Sequence, residues 1–265
     1  MRDFAAATAL LLGLAGSALA HDTWFEPMPA VASEPRLLAL GTGNRFPVHE
    51  LGVDAQYLRA QACRHGTSTP VPMAVVRNDD TALVLRVPQA GGPVQSCWMQ
   101  LAAFDVTLPA DKIDLYISEV HPPPGVLATW KGWHARGLPW QERYTKHARI
   151  ELAGDSAVPQ TTLPSGLDMD VLLTTPRQPA RVGDALAFQL LRRGKPLANH
   201  AVEFRNDRAP IGVWRQSDER GQLRFTPPLP GQWVLRAIEL HVSPTAAEQW
   251  ESDFLTLAFT VAPSK

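Results

Sequence analysis

Short apolar runs separated by turn-forming residues recur along most of the chain. Before residue 110 five of them stand out: "RLLALGTG" (36–43), "AQYLRAQACR" (55–64), "VPMAVVRN" (71–78), "ALVLRVP" (82–88) and "SCWMQLAAFDV" (96–106). Their β-branched and aromatic content, with Gly, Pro, Asn or Asp at many of their ends, marks them as strands. The "RNDD" at 77–80 is a hairpin signal between two of them. After residue 166 come about seven further runs, among them "MDVLLTT", "ALAFQLLRRG", "HAVEFRN", "GQLRFTP", "QWVLRAIEL" and "DFLTLAFTV". Within these, Phe188 and Leu190 share one face, as do Trp233, Leu235 and Ala237. The spacing predicts antiparallel sandwiches, the second immunoglobulin-like.

One stretch changes period. In "LPADKIDLYISEV" (108–120), Ile113, Tyr116, Ile117 and Val120 fall at i, i+3, i+4 and i+7, which predicts a short amphipathic helix. Pro109 suits its first turn, and Pro122, Pro123 and Pro124 stop it. The text that follows reads as a Trp-rich loop and then a strand, "YTKHARIEL" (144–152). The small, polar, Pro-containing "AGDSAVPQTTLPSG" (153–166) reads as a connection. The expectation is an all-β chain, apart from that one helix, in two sandwich-like parts. The first covers 21–155, a linker 156–165, and the immunoglobulin-like part 166–265.

The first twenty residues read as a secretory signal. An apolar region from Phe4 to about Gly16 precedes Ala18-Leu19-Ala20, the small-x-small pattern that signal peptidase accepts. It is too short to span a bilayer, and no later segment is apolar enough to do so. The expected location is therefore periplasmic. A net charge of −1 argues against nucleic acid as a partner. The two cysteines, Cys63 and Cys97, are expected to pair in an oxidising compartment. No P-loop, GxSxG elbow or HExxH occurs, which removes the usual signals of a nucleotide enzyme, a serine hydrolase or a zinc protease.

Cleavage after Ala20 would make His21 the N-terminus. A terminal His can chelate a metal through its α-amine and Nδ1, because the amine loses its proton near neutral pH. One more His would complete a copper-type brace. Of the eight histidines, His241 also attracts attention because it shares a strand face with Glu239. His134 lies in the Trp-rich stretch, where it could cover a site, and His200 reads as a surface residue in a turn.

"AHDTWFEP", "LPADKIDLYISEV", "WQERYTKHARIELAGD", "GLDMDVLLTTP", "SDERGQLRF" and "GQWVLRAIEL" together resemble the domain of unknown function 4198 family. That resemblance implies an extracytoplasmic two-part β protein associated with nickel or cobalt uptake, working with a membrane metal transporter. It also adds His147, in "YTKHAR", to the candidate ligands. The expected metal set is thus His21 and His147 with His241 or Glu239. Nickel is the first choice on the resemblance, with cobalt, copper or zinc compatible with the donors. The expected role is binding without catalysis. Two rivals stand beside it: a copper-brace oxidative enzyme, with Trp24, Trp130, Trp133 and Trp140 as a flat aromatic face, and a metal-free interaction module.

Overall fold

The computed structural model describes residues 21–29, 35–88, 95–152, 163–175 and 180–264. The expected signal segment and positions 156–162 of the expected linker lie outside the described residues. The described chain is mostly β, with two α-helices. Its first half carries β1 (Asp22–Pro27), β2 (Leu37–Gly43), β3 (Leu51–Gly52), a 3-10 turn at Ala55–Tyr57, β4 (Leu58–His65), β5 (Val71–Pro72), β6 (Ala74–Asn78), β7 (Leu83–Arg86), β8 (Gln95–Leu101) and β9 (Phe104–Leu108). Then come α1 (Ala110–Val120), α2 (Pro124–Ala135) and β10 (Trp140–Leu152). The second half carries β11 (Met169–Leu173), β12 (Ala180–Arg181), β13 (Leu186–Arg192), β14 (Lys195–Pro196), β15 (Ala201–Asn206), β16 (Ala209–Gln216), β17 (Gln222–Phe225), β18 (Gly231–Val242) and β19 (Trp250–Ala262).

Helix α1 forms where the 3.6-residue period predicts it and buries Ile113, Tyr116 and Val120. It ends at His121, whose left-handed backbone lets its N–H reach the Ile117 carbonyl. The Trp-rich stretch read as a loop is instead the helix α2. Pro124 occupies its first turn, where the missing N–H has no intrahelical partner to lose. The proline run that stops one helix therefore starts the next. The four tryptophans available for the rival reading's flat aromatic face are not exposed. Trp24, Trp130 and Trp140 are buried, and Trp133 is partly buried against the core holding Trp140 and Trp250.

A ten-stranded sheet dominates the architecture, in the order β16-β15-β18-β19-β10-β8-β4-β5, with β12 on β19 and β9 on β10. Its middle is a parallel ladder from Glu142 opposite Trp250 to Glu151 opposite Phe259. Strands from both halves of the chain thus share one sheet. Two smaller sheets cover its opposite faces. The sheet β1-β2-β7-β6 packs Phe25, Leu38, Leu40 and Leu85 against Met99, Ala148, Ile150 and Ala258. On the other face, β11-β13-β14 with β17 packs Val171, Phe188 and Leu190 against Phe204, Leu235, Leu257 and Phe259. Alternation along β19 sends Ala258 into one core and Leu257 and Phe259 into the other.

Buried charge fastens β10 to β11. Arg149 is 2.9 Å from Glu151 and 3.0 Å from Asp170. Burial opposes the Arg149 charge, but the two carboxylates outweigh it and raise its pKa. Removing one member of such a group leaves an unpaired buried charge, typically at a cost of about 3–5 kcal/mol. No helix among the described residues is long and apolar enough to cross a membrane.

The expected disulfide is present: Cys63 and Cys97 face each other across β4 and β8 and are bonded. They lie 34 residues apart, a loop whose closure contributes about 3–4 kcal/mol in the chain-entropy account. Replacing both by Ala should lower the unfolding free energy by about that amount in urea denaturation. An unchanged midpoint would mean that strand pairing alone holds this edge.

Candidate functional site

Four neighbouring strands of the large sheet bring polar side chains to one end of the core beneath β11 and β13. On β10, residues 147, 149 and 151 point to this face. On β19 it is Glu251 and Asp253, and on β18 Glu239 and His241. Register sets Glu239 opposite Asp253 and His241 opposite Glu251. His200, just before β15, shares the face with Val202 and Phe204. Arg192, the last residue of β13, reaches the group from the covering sheet.

The histidines are set up in a particular way. His147 is 1% exposed, and its Nδ1 lies 3.2 Å from the Phe254 carbonyl. A carbonyl only accepts, so Nδ1 carries the hydrogen and Nε2 keeps its lone pair. That Nε2 is buried without a hydrogen-bond partner and lies 4.0 Å from Asp253 Oδ1. Burial lowers the His147 pKa to about 4, so the ring stays neutral. His200 repeats the pattern: it is buried, it bonds the backbone of Ile238, and its Nε2 has no partner. Burial lowers its pKa as well. A buried imidazole nitrogen left this way costs about 1–3 kcal/mol, which these two positions carry without return inside the fold.

Carboxylates surround these rings. His241 Nδ1 lies 2.8 Å from Glu239 Oε2, and His241 Nε2 lies 3.5 Å from Glu251 Oε2. Arg192 Nε is 3.3 Å from Glu239 and 3.8 Å from Asp253, and its Nη2 donates to His241 Nε2 at 2.9 Å. Burial, and then the nearby Glu239 charge, push the Asp253 carboxyl up to about 6. Burial pushes Glu239 the same way, but His241 and Arg192 outweigh it and leave the carboxyl below its usual range. Among the described residues, no three His, Cys, Asp or Glu side chains are already arranged around a metal position. Arg192 is the cation beside Glu239 and Asp253.

Of the expected metal set, then, His147, Glu239 and His241 come together on this face. His21 does not join them. Its carbonyl accepts from Lys146 Nζ at 2.8 Å, and Lys146, next in sequence to His147, points to the other face of β10. The side chain within ion-pair reach of the His21 ring is Glu50, at 3.8 Å. Burial and then Lys146 lower the His21 pKa. Sequence reading missed Asp253 and His200. Asp253 was findable as the residue two before Leu255 on the buried face of "SDFLTLAFTV". His200 was not, since "ANHAV" looks like a turn until the strand after it is known.

The arrangement predicts a pH signature. Asp253 binds its proton more tightly folded than unfolded, where 3.8 is usual, so ionising it costs stability as pH rises from about 4 through about 6. Arg192 relieves part of that cost. Arg192→Met should therefore destabilise the protein more at about pH 7.5 than at about pH 5, read by urea denaturation. An equal deficit at both would mean that Arg192 only packs.

A family model described as "Domain of unknown function (DUF4198)" matches residues 18–239. No curated protein matches the chain. Among solved structures, the D0-D1 domain of intimin is similar over 90% of this chain and 97% of its own, with 11% identity. Its TM-score of 0.19 is too low for that likeness to bear on fold or function. The family match takes in both halves of the chain, with His147, His200 and Glu239 inside it, and by that match the chain belongs to the domain of unknown function 4198 family.

Proposed function

We propose that this is an exported, periplasmic protein that binds a divalent transition metal, nickel or cobalt first, and exchanges it with a membrane transporter without catalysing a reaction. The observation that carries the reading is His147. Its Nδ1–H is held by the Phe254 carbonyl while Nε2 stays neutral, buried and unpartnered beside Asp253. Metal-binding imidazoles are commonly oriented through such a bond from the other ring nitrogen. The donors are His147 and Asp253, with Glu239, His241 and His200 nearby. Mixed nitrogen and oxygen donors suit nickel, cobalt, copper and zinc, with copper above nickel above cobalt in intrinsic affinity. The preference for nickel or cobalt rests on the family resemblance. An arriving cation takes the place of Arg192, which already neutralises the same carboxylates.

The rival chelate at His21 lies on the other face. A copper brace there needs a second imidazole, and the side chain within ion-pair reach of that ring is a carboxylate. Calorimetric titration of protein beginning at His21 with Ni(II), Co(II) and Cu(II) separates the cases. His147→Ala and Asp253→Asn should each weaken binding at least tenfold, about 1.4 kcal/mol. Arg192→Met should tighten it, and His21→Ala should leave it unchanged. Weakening confined to His21→Ala would move the ion to the N-terminal chelate. No binding of any of the three ions would leave the interaction-module reading in its place.

A further inference from the structure

A cavity of about 580 Å³ lies on the face of β10 opposite His147, between the sheet β1-β2-β7-β6 and strands β9, β10 and β19. Its size is that of a small-molecule site. One wall is a continuous run of rings. Tyr57 meets Phe104 edge-on at 5.0 Å, Phe104 stacks on Tyr144 at 5.5 Å, and Tyr144 meets Phe254 at 5.8 Å. Leu51, Val53, Leu101, Val106 and Leu108 add to the apolar lining.

Set into this wall is Lys146. Among the described residues its ammonium makes one hydrogen bond, to the His21 carbonyl, and it lies 5.6 Å from the Tyr144 ring centre and 6.0 Å from that of Phe254. No carboxylate among the described residues comes within 4.0 Å of it, and the cavity's own carboxylates are engaged elsewhere. Glu142, at the inner end, accepts from Tyr116 at 2.6 Å, from Trp140 at 2.7 Å and from Ser252. Glu50 faces His21 and accepts from Asn44 at 3.1 Å. Asp54 accepts the N–H of Gln56 at 3.0 Å in the 3-10 turn. Asp22, the acid whose field reaches Lys146, is bound to Arg236 at 2.7 Å. Burial works against the Lys146 charge. Ring contacts offset part of the cost of holding that charge out of water, but they do not replace a counter-ion.

We infer that this cavity binds a small organic carboxylate with an aromatic body, its carboxylate on the Lys146 ammonium and its ring along the Tyr57–Phe104–Tyr144–Phe254 wall. A single ammonium with two spare N–H groups matches one carboxylate. A phosphate dianion would call for the several donors or the Arg fork that phosphate sites use. A free metal ion is disfavoured by the Lys146 charge. The inference stands apart from the metal reading, because the two sites occupy opposite faces of the sheet.

Metal-stripped protein beginning at His21 is titrated by calorimetry with 3-phenylpropionate, indole-3-propionate, acetate and the neutral 3-phenylpropionamide. The two aromatic acids should bind. The amide and acetate should each bind at least tenfold more weakly than 3-phenylpropionate. Lys146→Met should weaken the aromatic acids at least tenfold, and Tyr57→Ala, at the exposed rim, should weaken them while leaving the fold intact by circular dichroism. Equal binding of acid and amide would overturn the role of Lys146. Equal binding of acetate would overturn the role of the ring wall. No binding of either aromatic acid up to millimolar concentration would overturn the site. Should Lys146→Met fail to fold, the comparison of acid with amide on the parent protein still decides.

Discussion

The parallel ladder between β10 and β19 is the constraint on which the rest depends. It sets two long strands, one from each half of the chain, side by side through the middle of a single sheet. A strand's side chains alternate, so each strand serves two interiors at once. Ala148, Ile150 and Ala258 fill the core under the first small sheet, while Leu255, Leu257 and Phe259 fill the core under the second. A slip of one residue would exchange both sets, placing Arg149 and Glu151 against aliphatic side chains and Ile150 against Asp170. The buried Arg149 penalises that slip, since Asp170, its partner on β11, is reachable from one face of β10 only.

The same alternation explains why the polar features divide as they do. Lys146 and His147 are adjacent, yet one faces a cavity walled by rings and the other a cluster of carboxylates and imidazoles. Neither is a natural choice for stability. An ammonium without a counter-ion and two imidazole nitrogens without partners all cost free energy, on the order of 1–3 kcal/mol for each buried unpaired group. Folds keep such groups where something other than folding uses them, and perturbed titrating groups concentrate at such places.

Much of the fold was legible because its signals are local. Runs such as 36–43 and 82–88 are compact apolar stretches bounded by turn-forming residues, and α1 carries its own period and stop. Pairing was not legible. Nothing in "YTKHARIEL" says that its neighbour lies about a hundred residues away in "DFLTLAFTV", and parallel partners carry no hairpin between them. Helix α2 was hidden by its tryptophans and by a proline run that reads as a break. The site shows the same division. Glu239 and His241 were visible as a pair two apart on one strand. His21 attracted attention as a chemical possibility at a cleavage site, a property of the chain end that says nothing about which face of the sheet it meets. His200 became a candidate only once the strand after it stood beside β18, whereas Asp253 could have been placed from the buried face it shares with Leu255.

Phe254 shows how closely the two faces are joined and why they can still be separated. Its carbonyl holds the Nδ1–H of His147, while its ring walls the cavity beside Lys146. The bond from His147 is accepted by the main-chain carbonyl of residue 254 and does not depend on the side chain there. The contact with Lys146 depends on the side chain and nothing else. Changes of residue at 254 therefore act on the cavity and leave the imidazole oriented, whereas a change of register acts on both. The ladder fixes the two sites back to back, and sequence can then alter the chemistry of either face without disturbing the other.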